Sequence, residues 1–199
     1  DHFTTAICAG HDTTAFFLSY CVYLLARHPD EQQKLYTHIQ DVVGDNGYIT
    51  ADDVPKLTYL KCVMMETLRL YPVIPMVSRV CEQDVCIKED NINVTLPRGI
   101  TLLMPMIVMN KDPTIWETPN EFRPSRFENK DSSDFTSAKD GYFPFAYGNT
   151  LAQIESAIIL VQLMRKYKFS EVPGFRPQQI RGGISLTTTN GMKIHLSSR

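Results

Sequence analysis

The chain has 199 residues, enough for one domain of ordinary size. Hydrophobic residues make up 43% of it and charged residues 21%, with a net charge of −2. That is globular composition, and no basic field invites nucleic acid.

Residues 1–27 contain no proline and a single glycine, Gly10, and predict one helix about 40 Å long. Its stretch 15–26 is apolar but short of the ~20 residues that a membrane span needs. From Phe16 to Leu25 it is apolar on nearly every face. A helix of that kind needs neighbours all round, so a missing N-terminal part of a larger domain is expected. Pro29 suits a helix first turn and opens a second helix, 29–43, with Leu35, Ile39, Val42 and Val43 as its stripe. A turn follows at 44–47. Thr50 heads a capping-type start for a helical turn ending near Pro55. Residues 57–70 form a third helix, stopped before Pro72.

The period then changes. Residues 77–80, 85–88, 92–96 and 101–106 read as strands of one small sheet. Residues 116–141, with their prolines and Ser/Asp/Lys stretch, read as mostly irregular. Residues 149–167 form a helix with Leu151, Ile154, Ile158 and Val161 on one face. Segments 184–188 and 192–196 flank Asn190-Gly191, the strongest short hairpin signal. The fold class is mainly α (α+β), one helix-rich piece without repeats or linkers.

Three clusters invite chemistry. Ala9-Gly10-His11-Asp12-Thr13-Thr14 puts poor helix formers inside a long helix. It is either a polar patch at a kink or a groove where an acid and an alcohol relay protons. Glu66 and Arg69, at i and i+3, are either a solvent-facing pair or a buried one. The apolar surroundings, from Cys62 to Tyr71, favour burial, and burial demands further partners. Arg126 is the candidate third member. Arg79 is a strand-edge arginine or a clamp for a carboxylate-bearing cofactor. The five cysteines, Cys8, Cys21, Cys62, Cys81 and Cys86, read as reduced thiols facing the cytosol and as small buried hydrophobes. The C-x4-C spacing of the last two matches no common metal pair.

The ordered set is specific. Ala9-Gly10-x-Asp12-Thr13-Thr14, then Glu66-x-x-Arg69, then Pro124-x-Arg126-Phe127, then Phe145-x-x-Gly148 before a last long helix, resembles the cytochrome P450 haem-thiolate monooxygenases. Trp116-x-x-Pro119-x-x-Phe122 and Gly183-Ile-Ser-Leu-Thr-x-x-x-Gly191 support it. The resemblance covers residues 1–199 as the C-terminal part of that family's domain: the long oxygen-binding helix, the E-x-x-R helix, a small sheet, the final long helix and a hairpin. It implies haem b, dioxygen, an apolar substrate (lipid, sterol or xenobiotic), and electrons from an NADPH-dependent reductase or a ferredoxin. By analogy it also implies the cytosolic face of the endoplasmic reticulum membrane. Asp12 and Thr13 match the acid–alcohol pair that delivers protons to bound dioxygen, and Ala9 and Gly10 the oxygen groove. Glu66, Arg69 and Arg126 match a structural triad, Arg79 a haem-propionate arginine, and Phe145 and Gly148 the start of the haem-binding loop.

Two departures stand out. Asn110-Lys111-Asp112-Pro113 replaces the family's frequent His-Arg-Asp-Pro. More consequential is the loop itself, whose family signature is Phe-x-x-Gly-x-Arg-x-Cys-x-Gly. Here Gly148 serves as both glycines, and the segment x-Arg-x-Cys-x-Gly, with the iron's axial cysteine, is missing between Gly148 and Asn149. Tyr147 is either a substitute ligand or an ordinary loop aromatic. The expected consequence is a chain that cannot form thiolate-ligated haem. It is then either a monooxygenase whose cysteine segment is lost from this form, or a truncated, haem-free and non-catalytic product.

Overall fold

The computed structural model describes residues 2–44, 47–89, 92–129, 142, 150–180 and 186–199, with the backbone alone at 2–9, 89, 92, 150, 179 and 180. The long N-terminal helix forms without interruption as α1, His2–Arg27, and runs through the Gly10–Thr14 patch. A second helix, α2 (Pro29–Val43), has Pro29 in its first turn beside Asp30 and Glu31, where a missing N–H costs nothing and negative charge meets the positive end of the helix dipole. It ends at Gly44, whose φ of 69° suits glycine and whose N–H bonds to the Gln40 carbonyl. Before the third helix, the Asp53 carboxylate accepts from the Thr50 N–H and hydroxyl, 3.1 and 2.8 Å. That contact closes the turn leading into a 3₁₀ segment, Val54–Lys56. Helix α3 is Thr58–Leu70.

These helices share one core. Phe17, Cys21, Leu24 and Leu25 of α1 meet Leu35 and Ile39 of α2 and Leu60, Val63, Met64 and Leu68 of α3, all fully or nearly buried. Strands β1 (Val77–Val80), β2 (Val85–Glu89), β3 (Ile92–Leu96) and β4 (Thr101–Met104) follow. They do not make one sheet: β1 pairs antiparallel with β4, and β2 with β3, as two separate ribbons. The last strand is also shorter than the sequence suggests. Pro105 has no N–H for a ladder, and the chain turns there into a one-turn helix α4, Met106–Met109.

The final long helix, α5, spans Thr150–Lys166. The anticipated stripe is rotated. Leu151 is 78% exposed, while Ala157, Leu160, Val161 and Met164 form the buried face. Tyr167 leaves the helix and opens β5, Tyr167–Glu171.

Among the described residues, the terminal Asn-Gly hairpin does not form, and Ile184 and Ser185 of its expected first strand lie outside them. Thr187–Thr188 (β7) pairs with Gln179–Ile180 (β6), and Ile194–Ser198 (β8) pairs with β5. Each segment flanking Asn190-Gly191 finds an earlier partner. The Asn190 side chain itself bridges back, accepting from the Gln178 N–H at 2.8 Å and donating to the Arg176 carbonyl at 2.9 Å. Local turn propensity loses here to pairing across the chain.

One buried amide ties both ends of this architecture together. Gln32 of α2 donates to the carbonyls of Leu25 and Phe169 and accepts from the Phe169 N–H, each at 2.9 Å. It is 1% exposed, so those bonds replace the water it gives up.

Candidate functional site: a closed brace and an open helix groove

The site residues divide into two groups. The first is centred on Glu66, which α3 carries on a buried face with Thr67, Leu68 and Arg69. Arg69 grips the Glu66 carboxylate with both arms of its fork, Nε to Oε2 at 2.7 Å and Nη2 to Oε1 at 2.9 Å. Arg126 adds Nε to Oε1 at 3.0 Å, and the Arg123 backbone N–H reaches the same oxygen at 2.9 Å. Glu66, Arg69 and Arg126 are 0%, 0% and 3% exposed.

Two positive charges on one buried carboxylate are tolerable only if the remaining donors are satisfied. They are. Arg69 Nη1 donates to the carbonyls of Asn110 and Pro119, and Nη2 to that of Glu121. Arg126 Nη1 donates to the Glu117 carbonyl at 3.1 Å. The irregular stretch after α4 is therefore wound around two guanidinium groups. At its tightest point Thr118 takes φ = 46°, a left-handed conformation that a β-branched residue seldom adopts.

An aromatic cluster seals this network. Trp116, 2% exposed, lies under Arg69 and Arg126, their guanidinium carbons 5.1 and 5.9 Å from its ring centroid. Phe127 and Tyr142 meet Trp116 edge-on at 6.0 and 5.5 Å and each other at 5.4 Å. The Tyr142 hydroxyl donates to the Met65 carbonyl, and burial pushes its phenol well above the usual range. Sequence reasoning named Glu66, Arg69 and Arg126. It recognised Trp116 only as part of a run and missed Tyr142 altogether. The carbonyl acceptors carry no side-chain signal at all.

The second group is open. Gly10 and Asp12 are exposed on α1 and Thr13 is half-buried. Asp12, 67% exposed at its side chain, meets the neighbouring His11 at 2.9 Å. A Cβ added at Gly10 would touch nothing within 4 Å, so no packing among the described residues requires glycine there. Of Ala9 only the helical backbone is described. Arg79 is exposed on β1, and its Nη1 donates to the adjacent Ser78 carbonyl. Phe145, Tyr147 and Gly148 lie outside the described residues. The structure thus brings Glu66, Arg69 and Arg126 together and leaves Gly10, Asp12, Thr13 and Arg79 apart from them.

A family model described as Cytochrome P450 matches residues 2–195. The chain belongs to the cytochrome P450 family. It is 39% identical over 173 residues to cytochrome P450 3A6 of Oryctolagus cuniculus, covering 81% of this chain and 32% of that protein. It is 37% identical to cytochrome P450 3A16 of Mus musculus, covering 82% of this chain and 32% of that protein. Cytochrome P450 3A7 of Homo sapiens is 33% identical and covers 97% of this chain, 39% of its own length. The P450 chain thus spans about a third of the length of these relatives.

The family implies haem, and the residues here do not suit its thiolate-ligated form. Cys21 is fully buried; its thiol donates to the Thr67 hydroxyl at 3.2 Å, and burial pushes it up to about 12. Cys62 is buried on α3 and pushed up, chiefly by the same cause, to about 11. Both are held as thiols, whereas iron takes a thiolate. Cys81 is buried beside β1, and Cys86, against the reading of all five as core residues, is exposed on β2. None occupies the loop before α5, where the family's ligand belongs. Among the described residues, no group of three or more His, Cys, Asp or Glu is placed to hold a metal ion, and no helix is long and apolar enough to cross a membrane.

Proposed function

We propose that this chain carries the C-terminal architecture of a haem-thiolate monooxygenase, the class that inserts one atom of dioxygen into an apolar substrate, and that in this form it keeps the scaffold without the chemistry. One observation carries the reading. Phe145-Ala-Tyr-Gly148 runs straight into Asn149-Thr-Leu-Ala152, with no cysteine between. When bound, haem supplies the dioxygen chemistry of this class, and the axial thiolate favours O–O cleavage. The described cysteines, three of them buried, supply no replacement. The parent activity would use a lipid, sterol or xenobiotic, with electrons from an NADPH-dependent reductase or a ferredoxin, at the cytosolic face of the endoplasmic reticulum. Asp12 and Thr13 would manage protons, Ala9 and Gly10 would line the oxygen groove, and Arg79 would meet a propionate. The open settings of Gly10 and Arg79 support groups that face something other than this chain.

The reduced carbon-monoxide difference spectrum tests the proposal. The chain reconstituted with haemin is expected to give no band at the thiolate position; a band there would sink it. A second reading, a competent monooxygenase from which this form has lost one segment, is favoured by the intact motifs on both sides of the join. Sequencing transcripts across the codons of Gly148 and Asn149 separates the two. An in-frame Arg-x-Cys segment there supports the competent parent, and continuous coding supports the inert product.

A further inference from the structure

We propose that Asn190 is a modification site of this chain: the Gly191 nitrogen displaces ammonia from its side chain when the turn at 189–191 comes away from residues 176–178, and the product bars the turn's return. The reaction stands apart from haem and from the proposed function, and it needs only the chain and water. The Gly191 backbone nitrogen bonds to Asn190 Cγ. The Cγ–Nδ2 bond breaks, and Nδ2 leaves as ammonia with the proton from the Gly191 N–H. Water then opens the cyclic imide at either carbonyl. Opening at the side-chain carbonyl gives aspartate. Opening at the backbone carbonyl gives isoaspartate, with the main chain rerouted through Cβ and Cγ. Glycine favours the attack, because no Cβ shields its nitrogen and its backbone turns freely.

Three features of the structure gate this step. The first is a clamp on the reacting group itself. Asn190 Oδ1 accepts from the Gln178 N–H at 2.8 Å, and Nδ2 donates to the Arg176 carbonyl at 2.9 Å. Ring closure needs Cγ aligned with the attacking nitrogen and turns the planar carboxamide into a tetrahedral centre, so the clamp has to be released for it to proceed. The second is how little holds the clamp shut. Thr189 adds one backbone bond to the Gln178 carbonyl, at 2.9 Å, and the ladder behind it pairs only Thr187–Thr188 with Gln179–Ile180. Thr189 and Gly191 are exposed. A ribbon so short and so open to water belongs to the part of a fold that opens first. The third is the product. A carboxylate has no N–H to donate, so its oxygen would face the Arg176 carbonyl with no hydrogen between them, and isoaspartate also lengthens the turn. The change runs one way and keeps a record of opening.

The whole chain would be held in mildly alkaline buffer, folded or in urea, and digested at intervals. Mass spectrometry would measure aspartate and isoaspartate at Asn190. Asn46-Gly47, the chain's other Asn-Gly pair, calibrates the rate in urea. The expected result is conversion at Asn190 several-fold slower in the folded chain than in urea, with isoaspartate among the products. Gln178→Pro removes the N–H that holds Oδ1. It should raise the folded rate several-fold while the emission of Trp116, the single tryptophan and 2% exposed, stays that of the parent. Should that variant not fold, a urea series on the parent decides: conversion at Asn190 should rise at concentrations that leave the Trp116 emission native. A folded rate equal to the rate in urea would overturn the proposal. So would a folded Gln178→Pro chain that converts no faster than the parent, or conversion that rises only as Trp116 unfolds.

Discussion

Glu66 and Asp12 are both carboxylates on helices of one core, and they stand in opposite environments. Glu66 is fully buried and saturated, holding two arginines and a backbone N–H. Asp12 is exposed and meets the imidazole of its neighbour His11. The same contrast separates Arg69, with its five bonds in the chain, from Arg79, whose Nη1 touches the adjacent carbonyl. The difference shows what each residue needs in order to be satisfied. A group whose partners are in the chain finds them. Asp12 and Arg79 stay in water, where an exposed ion pair is worth little.

Breaking the closed side should cost most. Glu66→Gln leaves Arg69 and Arg126 buried without a counter-charge, and about 3–5 kcal/mol of stability should go with it, read from urea unfolding. Alkali attacks the same side. Burial pushes the Cys21 thiol from 9.0 and the Tyr20 phenol from 10.0, each up to about 12. Between those values the unfolded chain sheds protons that the folded chain keeps. Stability should therefore fall as pH rises from 9 toward 12. Cys21→Ala and Tyr20→Phe should each flatten that slope in unfolding midpoints taken across the window. Tyr142→Phe removes one bond to the Met65 carbonyl and keeps the stacked ring, for a loss of about 1 kcal/mol. On the open side, Asp12→Asn and Arg79→Ala should leave the thermal midpoint where it is. A large loss at either would erase the contrast.

What the sequence disclosed follows the same division. Glu66-x-x-Arg69 was legible because a charged pair in an apolar helix has to be buried and needs a third partner. Arg126 was found by its motif. The acceptors that complete the brace were not legible, because a carbonyl is present at every residue and only the fold says where it points. The helices came through well: proline at the start of α2 and Pro72 after α3 fix limits by covalent geometry. The strands came through less well. Four strands that read as one sheet became two ribbons, a local one of β2 with β3 and a longer-range one of β1 with β4, and among the described residues Asn190-Gly191 did not make its hairpin because its flanks pair with β5 and β6. The rotated face of α5, with Leu151 outward and Met164 inward, shows that an apolar helix does not declare which side its neighbours will take.

The Gln32 clamp also sets an order of events. Its two bonds to Phe169 join residues 137 positions apart, and closing so wide a loop is slow relative to forming the helices on either side. On a ribosome, α1, α2 and α3 would emerge long before Phe169 does. Until then the Gln32 amide has only the Leu25 carbonyl in hand and must keep water on its other bonds. A nascent chain stalled before Phe169 would carry a hydrated polar gap in the middle of its growing core. The same amide that is silent in the finished molecule would then mark an unfinished one as a target for chaperones or proteases.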